Sequence, residues 1–137
     1  MKQTAQYHFY AAHRNQNLND KCHNLHGHTY FVEFDFEFKS LSNGLTMLFS
    51  ELDSKIEPII KGKYDHATFV DINDEQLMKC INQFPDVFGK VVTFEQPTSV
   101  EFLAQKLFTE MVKLGLPITS VRIKETTTKI IEYKYNG

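Results

Sequence analysis

The chain has 137 residues, enough for one domain and little more, and we read residues 1–137 as a single unit. Seventeen acidic residues against fifteen basic ones leave a net charge of −2, with no basic stripe for nucleic acid, while 42% hydrophobic content with 12 Phe and 6 Tyr argues against disorder. No apolar run approaches the ~18 residues of a membrane span, Met1-Lys2-Gln3-Thr4 lacks a secretory signal, and Cys22 and Cys80 are too few for a disulfide framework, so a cytoplasmic setting is expected.

The opening stretch alternates, with Ala5, Tyr7, Phe9 and Ala11 on one face and Lys2, Thr4, Gln6 and His8 on the other, which predicts a half-buried strand with His13 in phase with its apolar side. From His28 to Phe38 a second strand sends Tyr30, Val32, Phe34, Phe36 and Phe38 one way and Glu33, Asp35 and Glu37 the other. Asn43-Gly44 supplies turn chemistry. Ser50-Glu51-Leu52-Asp53 reads as a capping box for a helix with Leu52, Ile56, Ile59 and Ile60 inside, where Pro58 implies a kink or a short helix.

Residues 73–84 suggest a short helix ended by Pro85, with Cys80 as a small buried hydrophobe, and Lys90 to Glu95 reads as a strand. Thr98-Ser99-Val100-Glu101 is a second capping box. Val100, Leu103, Ala104, Leu107, Met111 and Leu114 then follow at helical spacing until Gly115 and Pro117. Ile118–Glu125 and Lys129–Tyr135 form a hairpin across a threonine-rich turn. The order predicts an α+β protein with helices on one face of an antiparallel sheet. Its acidic face, Glu33, Asp35 and Glu37, is either simply solvated or lines a water-filled channel in a ring of subunits.

Chemistry concentrates between positions 13 and 28. His26-Gly27-His28 puts two imidazoles on the apolar side of a strand, where they must be hydrogen-bonded or bound to something; the intervening glycine lets a backbone or a ligand come close. His13 supplies a third nitrogen if the first two strands pair around the Asn15–Leu25 loop. Three imidazoles with an open fourth position describe a catalytic zinc site better than a structural one. His23 is out of phase and reads as a loop residue. Cys22 is open to three readings: a fourth ligand, an unligated thiolate with its pKa lowered by a neighbouring cation, or an incidental loop cysteine. Asp65-His66 suits an oriented imidazole that shuttles protons. Glu125 shares a face with Val121 and Ile123, so it either reaches solvent at the strand end or grips a ligand with two parallel N–H groups.

In chain order, Phe9-Tyr10-Ala11-Ala12-His13, Cys22-x-x-x-His26-Gly27-His28, Asp65-His66, Pro97-Thr98-Ser99 and Glu125-Thr126 resemble the 6-pyruvoyl-tetrahydropterin synthase family over nearly the whole chain. The three-residue gap after the cysteine is similar to its bacterial 6-carboxytetrahydropterin synthase branch, which serves queuosine biosynthesis. The resemblance implies the tunnelling fold: helices on one side of an antiparallel sheet, sheets of several subunits joined into a barrel, and a homohexamer built from two trimers with active sites between subunits. It implies zinc on His13, His26 and His28, proton transfer by Cys22 with Asp65 and His66, and pterin contacts from Glu125, Thr126, Thr98 and Ser99.

The implied substrate is 7,8-dihydroneopterin triphosphate, and the implied products are 6-carboxytetrahydropterin, acetaldehyde and triphosphate. Triphosphate elimination alone, giving 6-pyruvoyltetrahydropterin, and a non-catalytic zinc- or pterin-binding module are the alternatives. Leu48-Phe49 stands where many members carry Asp-Phe, with Ser50 available to cap the helix instead. The stretch Val70–Val92 matches less clearly.

Overall fold

The computed structural model describes residues 1–135; Asn136 and Gly137, the last two of the expected domain, lie outside it. The two alternating segments form the long strands β1 (Lys2–His13) and β2 (His26–Glu37), antiparallel along their whole length from Lys2 opposite Glu37 to His13 opposite His26. Phe9, Ala11, Tyr30, Val32, Phe34 and Phe36 are buried on one face, as the two-residue period requires. The Asn43-Gly44 turn forms with both residues at positive φ, 55° and 79°, and Ser42 bridging Leu45, the combination that Asn-Gly favours.

Helix α1 (Phe49–Ile59) opens two residues earlier than the capping box suggested. Leu48 holds the cap position with no side-chain hydrogen bond, so Ser50 does not take over capping. Burial of Leu52 and Ile56 sets the helix register instead. Pro58 lies inside α1, which then widens into a π-helical turn at Ile60–Tyr64.

A strand missed by periodicity, β3 (Ala67–Asp71), follows. All five of its residues are buried, so it has no polar alternation to read. Then come α2 (Glu75–Gln83), the single turn α3 (Pro85–Phe88), β4 (Lys90–Phe94) and α4 (Val100–Lys113). Cys80 is exposed rather than buried, because α2 buries the 77/81 row and turns its neighbour outward. Ser99, not Thr98, caps α4 by accepting the Phe102 N–H. Gly115, at φ 75°, ends that helix. Strands β5 (Ile118–Lys124) and β6 (Ile131–Lys134) close the chain as the expected hairpin.

The sheet order is β4-β3-β1-β2-β5-β6. It is mixed: β3 runs parallel to β1 and β4 parallel to β3, whereas the sequence suggested an antiparallel sheet. Helices occupy both connections, and a helical crossover returns the chain in the same direction. The α+β class stands. Residues of α1 and α4, among them Leu52, Ile56, Leu103, Leu107 and Met111, share one core with the buried face of β1 and β2. The short α2 and α3 lie on the opposite side, where Val70 meets Leu77 and Ile81.

On that opposite side the acidic strand face meets a cation of the same chain. Arg122 on β5 donates to both carboxylate oxygens of Asp35, at 2.6 and 2.9 Å, and to Glu33 at 3.0 Å. Thr4 adds a hydrogen bond of 2.7 Å to Asp35, which is buried. The charge of Asp35 is therefore paired within the chain, while Glu33 and Glu37 keep substantial exposure.

Candidate metal centre

Pairing of β1 with β2 puts His13 opposite His26 and Ala11 opposite His28. The strand pairing that the third histidine needed is thus present. Ring centroids of the three imidazoles lie 4.7, 5.1 and 4.8 Å apart, and one ligand nitrogen from each falls within 4.8 Å of the others.

Two backbone carbonyls fix the tautomers. His13 Nδ1 lies 2.7 Å from the Thr98 carbonyl oxygen, and His26 Nδ1 2.6 Å from that of Asn24. A carbonyl only accepts, so each Nδ1 carries the proton and each neutral ring keeps its lone pair on Nε2. His13 Nε2 is buried and has no hydrogen-bond partner. A buried lone pair beside two further imidazoles is what a borderline-soft cation takes up, so the donor set fits zinc.

Glu125 sits at the end of β5 with Oε1 3.3 Å from His13 Nε2 and 3.2 Å from His28 Nε2. The approach of His13 first, then the charges of His28, His13 and His26, hold this carboxyl below its usual range against the opposing effect of burial. Burial in turn pushes the His28 imidazole down, a shift that Glu125 opposes and His13 and His26 reinforce. Behind the site Tyr30 is fully buried with an unpartnered hydroxyl, raised above its ordinary pKa by burial and then by Glu125.

Cys22 lies on a 3₁₀ turn (Lys21–His23) whose start is capped by Asp20, which accepts the Cys22 N–H at 2.8 Å. The loop is anchored by Arg14, whose guanidinium grips buried Asp74 with two bonds of 2.6 Å, and by Gln16 on Asp71 at 2.9 Å. The chain's own charges do not lower the thiol pKa: burial, Asp20 and Glu125 push it up, and Lys21 pulls it down only in part. A lowered value would need a cation in the site. His23 is a loop residue, bonded to the Leu18 carbonyl.

Asp65 and His66 form a pair at 2.9 Å. Asp65 also accepts the Tyr10 N–H at 3.0 Å, the first cause of its lowered pKa, and the His66 N–H donates to the Tyr10 carbonyl. Among the described residues no hydrogen bond links this pair to Cys22. His66 and His28 instead border a common open hollow of about 490 Å³. Gly27 also lines that hollow; a Cβ there would meet only the Ala11 carbonyl oxygen at 3.5 Å, so no close backbone approach demands glycine.

Of the remaining site residues, Thr98 is buried with its hydroxyl donating to the Arg14 carbonyl at 3.0 Å, Ser99 is the α4 cap, and Thr126 is exposed. Sequence reasoning missed that Thr98 orients His13, because the contact is made by a carbonyl, which leaves no mark on residue type.

The class follows from these observations: an α+β protein with a three-histidine cluster that could hold a metal ion. The sequence profile of the family described as 6-pyruvoyl tetrahydropterin synthase matches residues 2–136, and the chain belongs to that family, an enzyme of pterin-synthase type. A 6-carboxy-5,6,7,8-tetrahydropterin synthase from Haemophilus influenzae is 28% identical over 97% of this chain and 98% of its own. Among solved structures, an uncharacterized protein of Wolinella succinogenes superposes with a TM-score of 0.81 at 18% identity, covering 99% of this chain and 98% of its own. The 6-pyruvoyl tetrahydropterin synthase of Caenorhabditis elegans does so with 0.70 at 20%, covering 99% and 96%. The α+β tunnelling fold of the family is thereby shown for this chain.

Proposed function

We propose that the protein is a zinc-dependent lyase converting 7,8-dihydroneopterin triphosphate to 6-carboxy-5,6,7,8-tetrahydropterin, acetaldehyde and triphosphate, in the cytoplasm, on the route to queuosine. The observation that carries the proposal is the convergence of three imidazoles, two of them with Nδ1 engaged by a carbonyl so that Nε2 keeps the lone pair. Curated relatives named for synthesis of 6-carboxy-5,6,7,8-tetrahydropterin support the choice of product. His13, His26 and His28 would hold zinc, which supplies Lewis acidity toward the substrate's side-chain oxygens when bound.

Residues of the chain do the rest. Cys22 moves a proton at the side chain or ring. Glu125 takes the paired N–H groups of the pterin edge, with Thr126 beside it. Thr98 keeps His13 in its productive tautomer rather than offering its hydroxyl to substrate, and Ser99, which only accepts in its capping bond, offers its O–H to substrate. The hollow beside His28 and His66 has the volume of a small-molecule site. Asp65 and His66 complete the relay of a neighbouring subunit's Cys22, since no bond joins them within one chain; a homohexamer of two trimers would provide that boundary.

The test is product analysis with metal-loaded protein. Acetaldehyde release together with triphosphate supports the reading. Triphosphate without acetaldehyde assigns 6-pyruvoyltetrahydropterin synthesis instead, and pterin binding without turnover makes the protein a binding module. Mixing Cys22→Ala and His66→Ala subunits before reassembly should restore roughly a quarter of wild-type turnover if the relay crosses subunits, and none if it does not.

A further inference from the structure

The loop that carries Cys22 has no apolar anchor. It spans residues 14–25 between His13 and His26, which face each other across the strand pair. None of its residues is buried, and Leu18 and Leu25 are exposed. Core packing, which fixes the strands and helices, therefore does not fix the thiol. Bonds within the loop give it a shape: the Asn15 N–H donates to the Cys22 carbonyl at 3.0 Å, and His23 is bonded to the Leu18 carbonyl at 3.0 Å. They do not decide where that shape stands beside the histidines.

Its attachments outward are polar and converge on one turn. Arg14 gives two bonds of 2.6 Å to Asp74 and a longer one of 3.3 Å to Gln76, and Gln16 gives one of 2.9 Å to Asp71. Beyond the Thr98 hydroxyl on the Arg14 carbonyl, no other hydrogen bond ties a group of residues 14–23 to the rest of the described chain. Both carboxylates are buried in the turn 71–74 between β3 and α2. That turn is firm: Asp71 Oδ1 takes the backbone and side-chain N–H of Asn73 at 2.9 and 3.0 Å, and Asp74 Oδ1 caps α2 through the Leu77 N–H at 3.2 Å. Val70 before it shares a core with Leu77 and Ile81 after it. Each carboxylate thus bonds its own turn through Oδ1 and offers Oδ2 to the loop.

We propose that Asp71 and Asp74 are positioning residues of the site: through Gln16 and Arg14 they set where the Cys22 loop stands beside the histidine cluster, and neither touches substrate. The proposal rests on the proton-transfer reading of Cys22 and deepens it. Proton transfer needs its heavy atoms within about 2.6–3.2 Å, and a displacement of about 1 Å costs on the order of 100-fold in rate. Loosening the turn therefore lowers kcat and spares the binding of a pterin ring.

The experiment exchanges donor and acceptor across the Gln16–Asp71 bond in the full chain. Gln16→Glu sets two carboxylates against each other and pushes the loop off the turn. Adding Asp71→Asn restores the bond in the opposite sense, because the new amide donates to the loop while its oxygen still accepts from Asn73. Hydrogen exchange of residues 15–24, read in metal-free protein, should be at least about 10-fold faster in the single variant and return to the wild-type rate in the double, with α2 unchanged in both. In metal-loaded protein kcat should fall about 10–100-fold with KM within about threefold, and the double variant should recover it. Unchanged loop exchange in Gln16→Glu overturns the proposal. So does faster exchange with unchanged kcat, or a double variant that restores neither. If Gln16→Glu does not fold, Gln16→Met, which removes the bond without adding charge, is judged on the same two readouts. A wild type that does not turn over dihydroneopterin triphosphate refutes the proposed reaction instead, and the exchange rates, which need no substrate, then decide alone whether the carboxylates hold the loop.

Discussion

Two clusters of charged and polar side chains sit on the same pair of strands, and they are built on opposite principles. Toward the far end of β2, Asp35 receives two bonds from Arg122 and one from Thr4, so each acceptor meets a donor within the chain. At the near end, His13, His26, His28 and Glu125 crowd together, and two imidazole Nδ1–H groups are given to backbone carbonyls rather than to the carboxylate. The first cluster is closed and stabilises the sheet. The second is left open: its three imidazoles could hold an added cation, and among the described residues no Arg or Lys is paired with Glu125.

The contrast sharpens most at the histidines. Replacing His28 with Ala should weaken metal binding by more than about 100-fold while leaving the metal-free fold intact; elemental analysis after gel filtration measures it. A variant that still carries one equivalent would remove the open cluster from the comparison. Next in size, Cys22→Ala should keep its metal and lower turnover by about 10²–10⁴-fold. Loss of metal in that variant would make the thiol a ligand and contradict the proton-transfer role.

In the closed cluster the expected effects concern stability. Arg122→Ala leaves buried Asp35 without its main partner and should cost about 3 kcal/mol in urea unfolding, whereas Asp35→Asn, which lets Arg122 keep Glu33, should cost less. The same pair predicts acid behaviour. Arg122 holds Asp35 down to about 2, helped by Thr4 and opposed by burial. A depressed carboxyl contributes stability that is fully present above the unfolded value near about 4 and is lost as pH falls from there toward 2. Asp35→Asn should flatten the stability curve in that window, and an unchanged slope would show that other carboxylates govern it. Smallest of all, Thr4→Val removes one bond to Asp35 and should cost about 1–2 kcal/mol.

How much of this was legible in the residues differs between elements. The period of two in β1 and β2 placed His13, His26 and His28 on apolar strand faces, because alternation transmits directly into side-chain direction, while the pairing that brings them together was only a condition until the register showed it. Strand β3 was not legible: buried on both faces, it carries no polar alternation, and its parallel pairing depends on a helix crossing over the sheet. Cys80 was misjudged because a one-residue offset on a short helix turns a side chain from core to solvent. The capping residues of α1 and α4 were shifted by one or two positions, where burial of Leu52 and Ile56 or the engagement of Thr98 outweighed local preference.

By itself the sequence determined the two long strands, the amphipathic α4, the histidine trio and the family, since each is written in the order and spacing of residue types. Only the tertiary structure decided that Arg122 neutralises Asp35 across 87 positions, that the Thr98 carbonyl sets the tautomer of His13, and that Glu125 meets two imidazoles. Those depend on register between distant strands and on backbone groups that every residue shares, and neither leaves a signature in side-chain identity.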